Sequence, residues 1–127
     1  MNNYKENPNR ELAFKVATNK INATMEFKFK HTAHSYKRSC QRGLAKSKII
    51  ATLEYGEVIN KQGLIYYILG EKNIPDILIK QKQKLQNTIV IVAGDSNQII
   101  TCYRSANPFK NIRTKSKELF KNFGNAA

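Results

Sequence analysis

The sequence predicts an α+β domain: a compact, mainly antiparallel β-sheet with helices that come early in the chain and pack on one of its faces. Two helix-like segments precede most of the strand-like ones, a glycine ends each helix, and pairs of apolar strands flank short polar turns. The 127 residues fit a single domain that can bury a core without a metal or a disulfide.

The N-terminal part is predicted to be an extension of the core. Residues 1–24 are interpreted as partly helical, because Asn9 can cap a helix over residues 10–20 in which apolar residues recur loosely. Residues 25–30 then alternate apolar and charged side chains, which predicts a short half-buried strand. The core α+β domain is therefore assigned to residues 25–107.

Two consecutive helices are predicted next. They cover residues 32–42 and 45–55, and a glycine follows each of them. On the first helix, Ala33, Tyr36 and Cys40 define an apolar stripe, which is expected to be the buried face.

Four strands and a helical insert complete the predicted core. The strands form two hairpins, which pair residues 57–60 with 64–69 and residues 88–93 with 98–104. Pro75 begins a short helix that ends near residue 86. Residues 108–127 form a basic C-terminal tail, with helical character expected near residues 118–123.

The charge balance is the strongest indication of function. The chain has 22 Lys and Arg against 9 Asp and Glu, a formal net charge of +13. Between Glu26 and Glu54 there are seven basic residues and no acidic one. A charge of this size is typical of proteins that bind nucleic acid, and RNA is the favoured partner. Solvated surface in a lysine-rich proteome is the alternative, but it does not explain the missing acids.

The remaining composition narrows the class of protein. No apolar run approaches the roughly 18 residues of a membrane helix, and residues 1–10 lack the apolar core of a signal peptide. We therefore expect a cytoplasmic protein with no membrane partner, in which Cys40 and Cys102 are reduced. Neither these cysteines nor His31 and His34 lie in a metal-binding pattern, so no metal or other cofactor is predicted.

A stripe of three residues on the first helix could carry chemistry. His34, Arg38 and Arg42 follow one another at four-residue steps and share one side of the helix, away from its expected buried face. The simplest interpretation is a solvated face with one histidine. The functional interpretation is that the imidazole and both guanidinium groups meet one phosphate, because arginine offers it paired donors and histidine exchanges protons near neutral pH.

A second polar group ends the last predicted strand. Strict alternation divides this strand into two faces, Ile99, Thr101 and Tyr103 on one and Ile100, Cys102 and Arg104 on the other. Thr and Tyr are common strand formers, so on their own these residues indicate a site only weakly. The predicted nucleic-acid contacts are Lys30, Lys37, Arg38, Arg42, Lys46, Arg104, Lys110 and Arg113.

Residues 34–44, HSYKRSCQRGL, resemble the opening motif of the family called domain of unknown function 4258. In that motif a His is followed at four-residue steps by two Args, and then by Gly and an aliphatic residue. The segments YGEV at 55–58, IITCYR at 99–104 and FKNIR at 109–113 are also similar to the family. The resemblance covers roughly residues 29–117.

The resemblance implies the barnase–EndoU–colicin–RelE type of fold and a superfamily of largely metal-independent ribonucleases, many of them toxins of toxin–antitoxin systems. The catalytic positions that it implies are His34, Arg38, Arg42, Thr101 and Tyr103. The family usually has Ala after the His and often Met after the first Arg, whereas this chain has Ser35 and Ser39 there.

In such an enzyme the 2′-OH of RNA attacks the adjacent phosphorus. This step needs a base, cationic donors for the phosphorane charge and an acid for the leaving 5′-oxygen. His34 would be the base or the acid, the two arginines would stabilise the charge, and Thr101 or Tyr103 would hold a phosphate oxygen. No second group that titrates near neutrality is evident, although Glu57 is an option.

The charge balance predicts RNA as the partner, free or on the ribosome. The resemblance implies in addition an acidic antitoxin or immunity protein. Two alternatives remain open. The chain could be a non-catalytic nucleic-acid-binding protein of a phage or plasmid, in which the basic stripe only binds phosphate. It could also be an interaction module that inhibits an acidic host factor.

Overall fold

A computed structural model describes residues 8–17 and 24–109. Six strands form one sheet in the order β1-β2-β6-β5-β4-β3. They are β1 (Glu11–Ala17), β2 (Thr24–His31), β3 (Glu57–Lys61), β4 (Leu64–Leu69), β5 (Thr88–Ala93) and β6 (Gln98–Arg104). Neighbouring strands are antiparallel except β2 and β6, which run parallel. The predicted α+β class with a mainly antiparallel sheet is confirmed.

Three α-helices accompany the sheet in the described ranges: α1 (Ala33–Gln41), α2 (Lys46–Tyr55) and α3 (Lys82–Leu85). Short 3-10 turns cover Pro8–Arg10, Glu71–Asn73 and Asp76–Gln81, so the predicted insert helix is mostly of the 3-10 type. No helix in this part of the chain is long and apolar enough to cross a membrane. The tail helix predicted near residues 118–123 lies outside the described residues.

Local signals account for the start and end of α1. The Thr32 side chain caps the helix by accepting a hydrogen bond from the Ser35 N–H at 2.9 Å. Gly43 follows the helix with a φ of +67°, a left-handed conformation that glycine adopts at little cost. The boundaries predicted for this helix are therefore confirmed.

Both predicted hairpins are present. Gln62 and Gly63 connect β3 to β4 with φ values of 52° and 77°, as a two-residue hairpin turn requires. β5 and β6 pair antiparallel after a turn over residues 94–97, with Val90 opposite Cys102.

The N-terminal segment differs from its prediction. Residues 11–17 form strand β1 instead of a helix, and β1 pairs antiparallel with β2, with Leu12 opposite Phe29. Side chains along β1 alternate between exposed and buried or half-buried, which is the period of a strand. Stacked rings of Phe14 and Phe29, 6.0 Å apart, add to this pairing. Since β1 is part of the sheet, the boundary placed at residue 24 divides a strand pair.

The helices pack on one face of the sheet, as predicted. Leu44, Ile49 and Leu53 from α2 and the loop before it join a buried cluster with strand residues. The strand members of this cluster are Leu12, Phe29, Val90, Val92, Ile99 and Cys102. The opposite face has its own cluster around Ile68, Ile89 and Ile91.

The buried face of α1 consists of two serines instead of the predicted apolar stripe. Ser35 and Ser39 are buried, while Ala33 and Cys40 are exposed and Tyr36 is half-buried. Each serine hydroxyl donates to a carbonyl of its own helix, Ser35 to Thr32 O at 3.1 Å and Ser39 to Tyr36 O at 2.7 Å. Satisfied hydroxyls can be buried, and such small side chains let α1 lie close to β6.

An irregularity in β6 changes which side chains share a face. The register with β5 shifts between Ile91 and Val92, so Ile100 is left without an opposite residue. As a result Ile99 and Cys102 both lie in the cluster on the helix side, each 0% exposed, while Ile100 is 39% exposed. The predicted assignment of Ile99 and Cys102 to opposite faces is therefore wrong.

Because of this irregularity, or β-bulge, replacing isoleucine by alanine should affect stability differently at the adjacent positions 99 and 100. We expect Ile99→Ala to lower the free energy of unfolding by about 2–5 kcal/mol, because it leaves a cavity in the core. Ile100→Ala should cost about 1 kcal/mol or less, because this side chain is partly exposed. Urea unfolding of the two variants measures the difference. Similar losses would contradict the bulged register.

Candidate functional site

The predicted site residues of α1 lie on an open surface. His34 is in the first turn and Arg38 in the last turn, and both are exposed, as is Lys37. Neither the His34 nor the Arg38 side chain bonds to another residue of the described part. His34 and Arg42 are eight residues apart, or about 12 Å along the helix axis. This distance suits several phosphates of a bound strand better than a single phosphate.

Arg42 occupies an edge of the sheet that no described strand covers. β2 and β6 pair only at Lys30–Gln98 and His31–Ile99, because the chain then turns into α1. The Arg42 guanidinium reaches the edge of β6 beyond this point and donates from Nη1 to Cys102 O at 2.7 Å. The same nitrogen is 3.5 Å from Thr101 Oγ1. Arg42 is thus held in place by the strand that carries the other predicted site residues.

Tyr103 lies near this guanidinium, on the sheet face opposite the helices. It packs with Tyr66 and Ile89 and is half-buried. Burial, together with the nearby Tyr66, raises the pKa of Tyr103, and Arg42 opposes this with a smaller effect. The phenol therefore stays neutral at physiological pH and can donate a hydrogen bond.

Arg104, at the same end of β6, bonds to the backbone of α3 and of the residue that follows it. Its Nη2 donates to Gln83 O at 2.9 Å and to Gln86 O at 3.0 Å, which ties α3 to β6. Together with Arg42, Leu44 and Tyr103 it lines an open cleft of about 500 Å³. The structure thus brings Arg42, Thr101, Tyr103 and Arg104 together, but leaves His34 and Arg38 on the exposed side of α1.

The other predicted nucleic-acid contacts are dispersed. Lys30 is exposed on β2, next to the turn that joins β5 and β6, where its N–H donates to Asn97 O at 3.2 Å. Lys46 begins α2. Lys110 and Arg113 lie outside the described residues.

One residue that the sequence did not place in the site is His31, which is only 2% exposed. Its Nδ1 lies 2.8 Å from Ser35 Oγ, and the same hydroxyl donates to Thr32 O. Because a hydroxyl has one proton, both contacts are satisfied together only if Nδ1 donates, which leaves a lone pair on Nε2. Burial, and then the charge of Arg10, lower the pKa of His31 to about 4.

His31 borders a second cleft, of about 350 Å³, where α1, the start of α2 and the N-terminal 3-10 turn meet. Tyr36, Cys40, Leu44 and Lys46 also line it. One signal for a buried histidine was in the sequence, since the alternation of Phe27 and Phe29 places residue 31 on the inward side of β2.

The described residues contain no group of three or more His, Cys, Asp or Glu side chains that could hold a metal ion. The two cysteines lie in different environments. Cys40 is exposed, whereas Cys102 is buried, and burial raises the pKa of its thiol to about 11.

Comparisons of the chain with protein-family models, curated proteins and solved structures gave no match. The similarity of residues 34–44 and 99–104 to the domain of unknown function 4258 family therefore stays a prediction. What the protein does has to follow from the geometry of its own residues.

Titration of the two histidines tests the buried position of His31. We expect an NMR titration to give His31 a pKa of about 4, with the signal assigned by its persistence in His34→Ala. The unfolded chain has the higher pKa, about 6.5, so it binds the proton first. The contribution of His31 to the free energy of unfolding is thus fully present above pH 6.5. It is lost, by up to about 3 kcal/mol, as the pH falls from 6.5 through 4. A His31 signal that titrates near 6.5 would contradict this environment.

Arg38 in the last turn of α1 and Arg42 at its C-cap allow a matched comparison. Arg42→Ala removes the donor to the Cys102 carbonyl and should lower the free energy of unfolding by about 1–3 kcal/mol. Arg38→Ala removes an equal charge without a described contact and should change it by about 0.5 kcal/mol or less. Chemical denaturation measures both values. Equal effects would show that the bond from Arg42 to β6 adds nothing to stability.

Proposed function

We propose that this protein is a cytoplasmic, RNA-binding endoribonuclease that cleaves RNA without a metal, by attack of a 2′-OH on the adjacent phosphate. The observation that carries the proposal is a basic surface without acidic neighbours. Lys37, Arg38, Arg42 and Lys46 on α1 and the start of α2 form no ion pair with any described carboxylate. Such a surface repels itself unless an anionic partner covers it, and a phosphate backbone is such a partner.

The cleavage part of the proposal rests on the edge of β6. A guanidinium has five N–H donors, and the contacts of Arg42 with β6 use only Nη1. Its remaining donors can bind a phosphate oxygen from a fixed position. A preorganised cation beside the Thr101 hydroxyl and a neutral Tyr103 phenol is suited to stabilise the charge of a phosphorane.

Proton transfer is proposed for His34. It is the exposed one of the two histidines, on the same helix as Arg38 and Arg42, so a strand lying along α1 could contact all three side chains. Within this proposal Arg42 stabilises the charge on the scissile phosphate, and Arg38 binds a neighbouring phosphate. His34 takes the proton from the 2′-OH of the same scissile linkage or gives one to its leaving oxygen, with the ribose lying between the two side chains. An acidic antitoxin or immunity protein would bind the same surface, by charge complementarity.

One observation favours a second function. Acid–base groups of enzymes are usually oriented by another side chain, but His34 has no such partner among the residues that the structure describes. The alternative is a non-catalytic nucleic-acid-binding protein, or an inhibitor of an acidic host factor, encoded by a phage or plasmid. In this case the basic surface only provides affinity.

Cleavage of end-labelled RNA by the purified protein in EDTA separates these functions. The wild type should yield 2′,3′-cyclic phosphate and 5′-OH ends. His34→Ala should cleave about a hundredfold to ten-thousandfold more slowly. It should still bind RNA, because one imidazole among many Lys and Arg side chains adds little affinity. Arg38→Ala should weaken both binding and cleavage, and Lys84→Ala on α3 controls for the loss of charge.

Two results would contradict the enzyme. Wild type and His34→Ala could behave alike in the cleavage assay while both bind RNA, which would leave only the binding function. Activity in the wild type that EDTA abolishes would contradict a reaction without a metal.

A further inference from the structure

The cleft beside His31 shares Lys46 with the basic surface and Leu44 with the cleft at the edge of β6. It lies between α1 and α2, its volume of about 350 Å³ is in the range of small-molecule sites, roughly 300–1,000 Å³, and Tyr36, Leu44 and Ile49 give it apolar walls. The residues proposed above for proton transfer and charge stabilisation do not line it.

The wall formed by His31 presents a buried polar group whose hydrogen bonds are incomplete. The residue is 2% exposed, and Ser35 binds its Nδ1. No residue in the described ranges binds Nε2. Buried polar atoms nearly always have a partner, so an unbonded Nε2 beside a cleft indicates a ligand that donates a hydrogen bond.

The other end of the cleft is suited to an anion. α2 is a ten-residue helix that starts there, and its N-cap, Ala45, provides no side-chain cap. The first described backbone bonds of this helix are made by the N–H groups of Lys48 and Ile49, which leaves those of Lys46 and Ser47 without an acceptor. The Lys46 side chain lines the same cleft. Free N–H groups, the helix dipole and an ammonium group together favour a phosphate.

We propose that this cleft binds one nucleotide unit, with its phosphate at the start of α2 beside Lys46 and its nucleoside against Tyr36 and Leu44, where it donates a hydrogen bond to His31 Nε2. A phosphate alone would leave the apolar walls and the acceptor unused, and an apolar ligand would leave the helix terminus unused. The identification of this unit as part of an RNA strand rests on the function proposed above.

Cys40 provides a direct probe, because it is exposed and lines the cleft while Cys102 is buried. An alkylating agent should therefore modify Cys40 first. Ribonucleoside 5′-monophosphates should slow this reaction several-fold, whereas inorganic phosphate and unphosphorylated nucleosides at equal concentration should protect much less. A short RNA that competes with the mononucleotide would identify the bound unit as part of a strand.

Two variants and a control locate the bound nucleotide. Lys46→Ala removes a charged contact from an exposed side chain and should weaken protection about tenfold. His31→Phe keeps a ring in the cleft but removes Nε2, and should lower nucleotide protection to that of phosphate. A thermal unfolding curve shows whether His31→Phe is folded. Lys46→Ala tests the site even if His31→Phe does not fold. In Lys84→Ala, a change away from the cleft, nucleotides should protect Cys40 as well as they do in the wild type.

The outcomes separate this site from the ribonuclease function. The absence of nucleotide protection, or equal protection by inorganic phosphate, would overturn the nucleotide site even if RNA is cleaved. Nucleotide protection of Cys40 that is weaker in Lys46→Ala would support the site even if RNA is not cleaved. In that case only the ribonuclease proposal fails.

Discussion

The short parallel contact between β2 and β6 determines where α1 lies, why His31 is buried and why part of the edge of β6 stays open. Only Lys30 and His31 pair with β6, and the Thr32 N–H adds a bond to Ile99 O at 3.1 Å before the chain turns into α1. The contact joins the β1–β2 strand pair to the main sheet and positions the start of α1 beside β6. It also buries the imidazole at the end of β2, and it leaves the second half of β6 for Arg42 to cover.

Features set by neighbouring residues could be predicted from the sequence, whereas those set by distant partners could not. The start of α1 near residue 32, the glycine that follows this helix and the hairpin of residues 57–60 with 64–69 have short-range causes, and the sequence predicts all three correctly. β1 was missed, because seven residues of weak alternation beside a possible helix cap become a strand only through pairing with β2. The buried Ser35 had no sequence signal, because its burial depends on a hydroxyl bond within α1 and on the closeness of β6.

Parts of the candidate site could likewise be predicted from the sequence, and other parts could not. The meeting of Arg42 with Thr101, 59 residues apart, was expected from the family resemblance and not from spacing, and the structure places them in contact. The arrangement of His34, Arg38 and Arg42 around one phosphate stays a prediction, because spacing along a helix fixes the side on which residues lie but not how far their side chains reach. The alternation along β2 indicates that His31 points inward, but its lowered pKa could not be predicted, because it depends on burial and on the charge of Arg10, which only the assembled fold brings near.

The guanidinium at the edge of β6 has a consequence for the behaviour of the protein at high concentration. A strand edge with free carbonyl groups is a template on which another chain can add a strand, and this is a common first step of aggregation. Arg42 occupies the Cys102 carbonyl and places a positive charge at that edge, so a second copy of the chain meets like charge there. We therefore expect the side chain proposed to bind a phosphate also to oppose the addition of a strand from another copy.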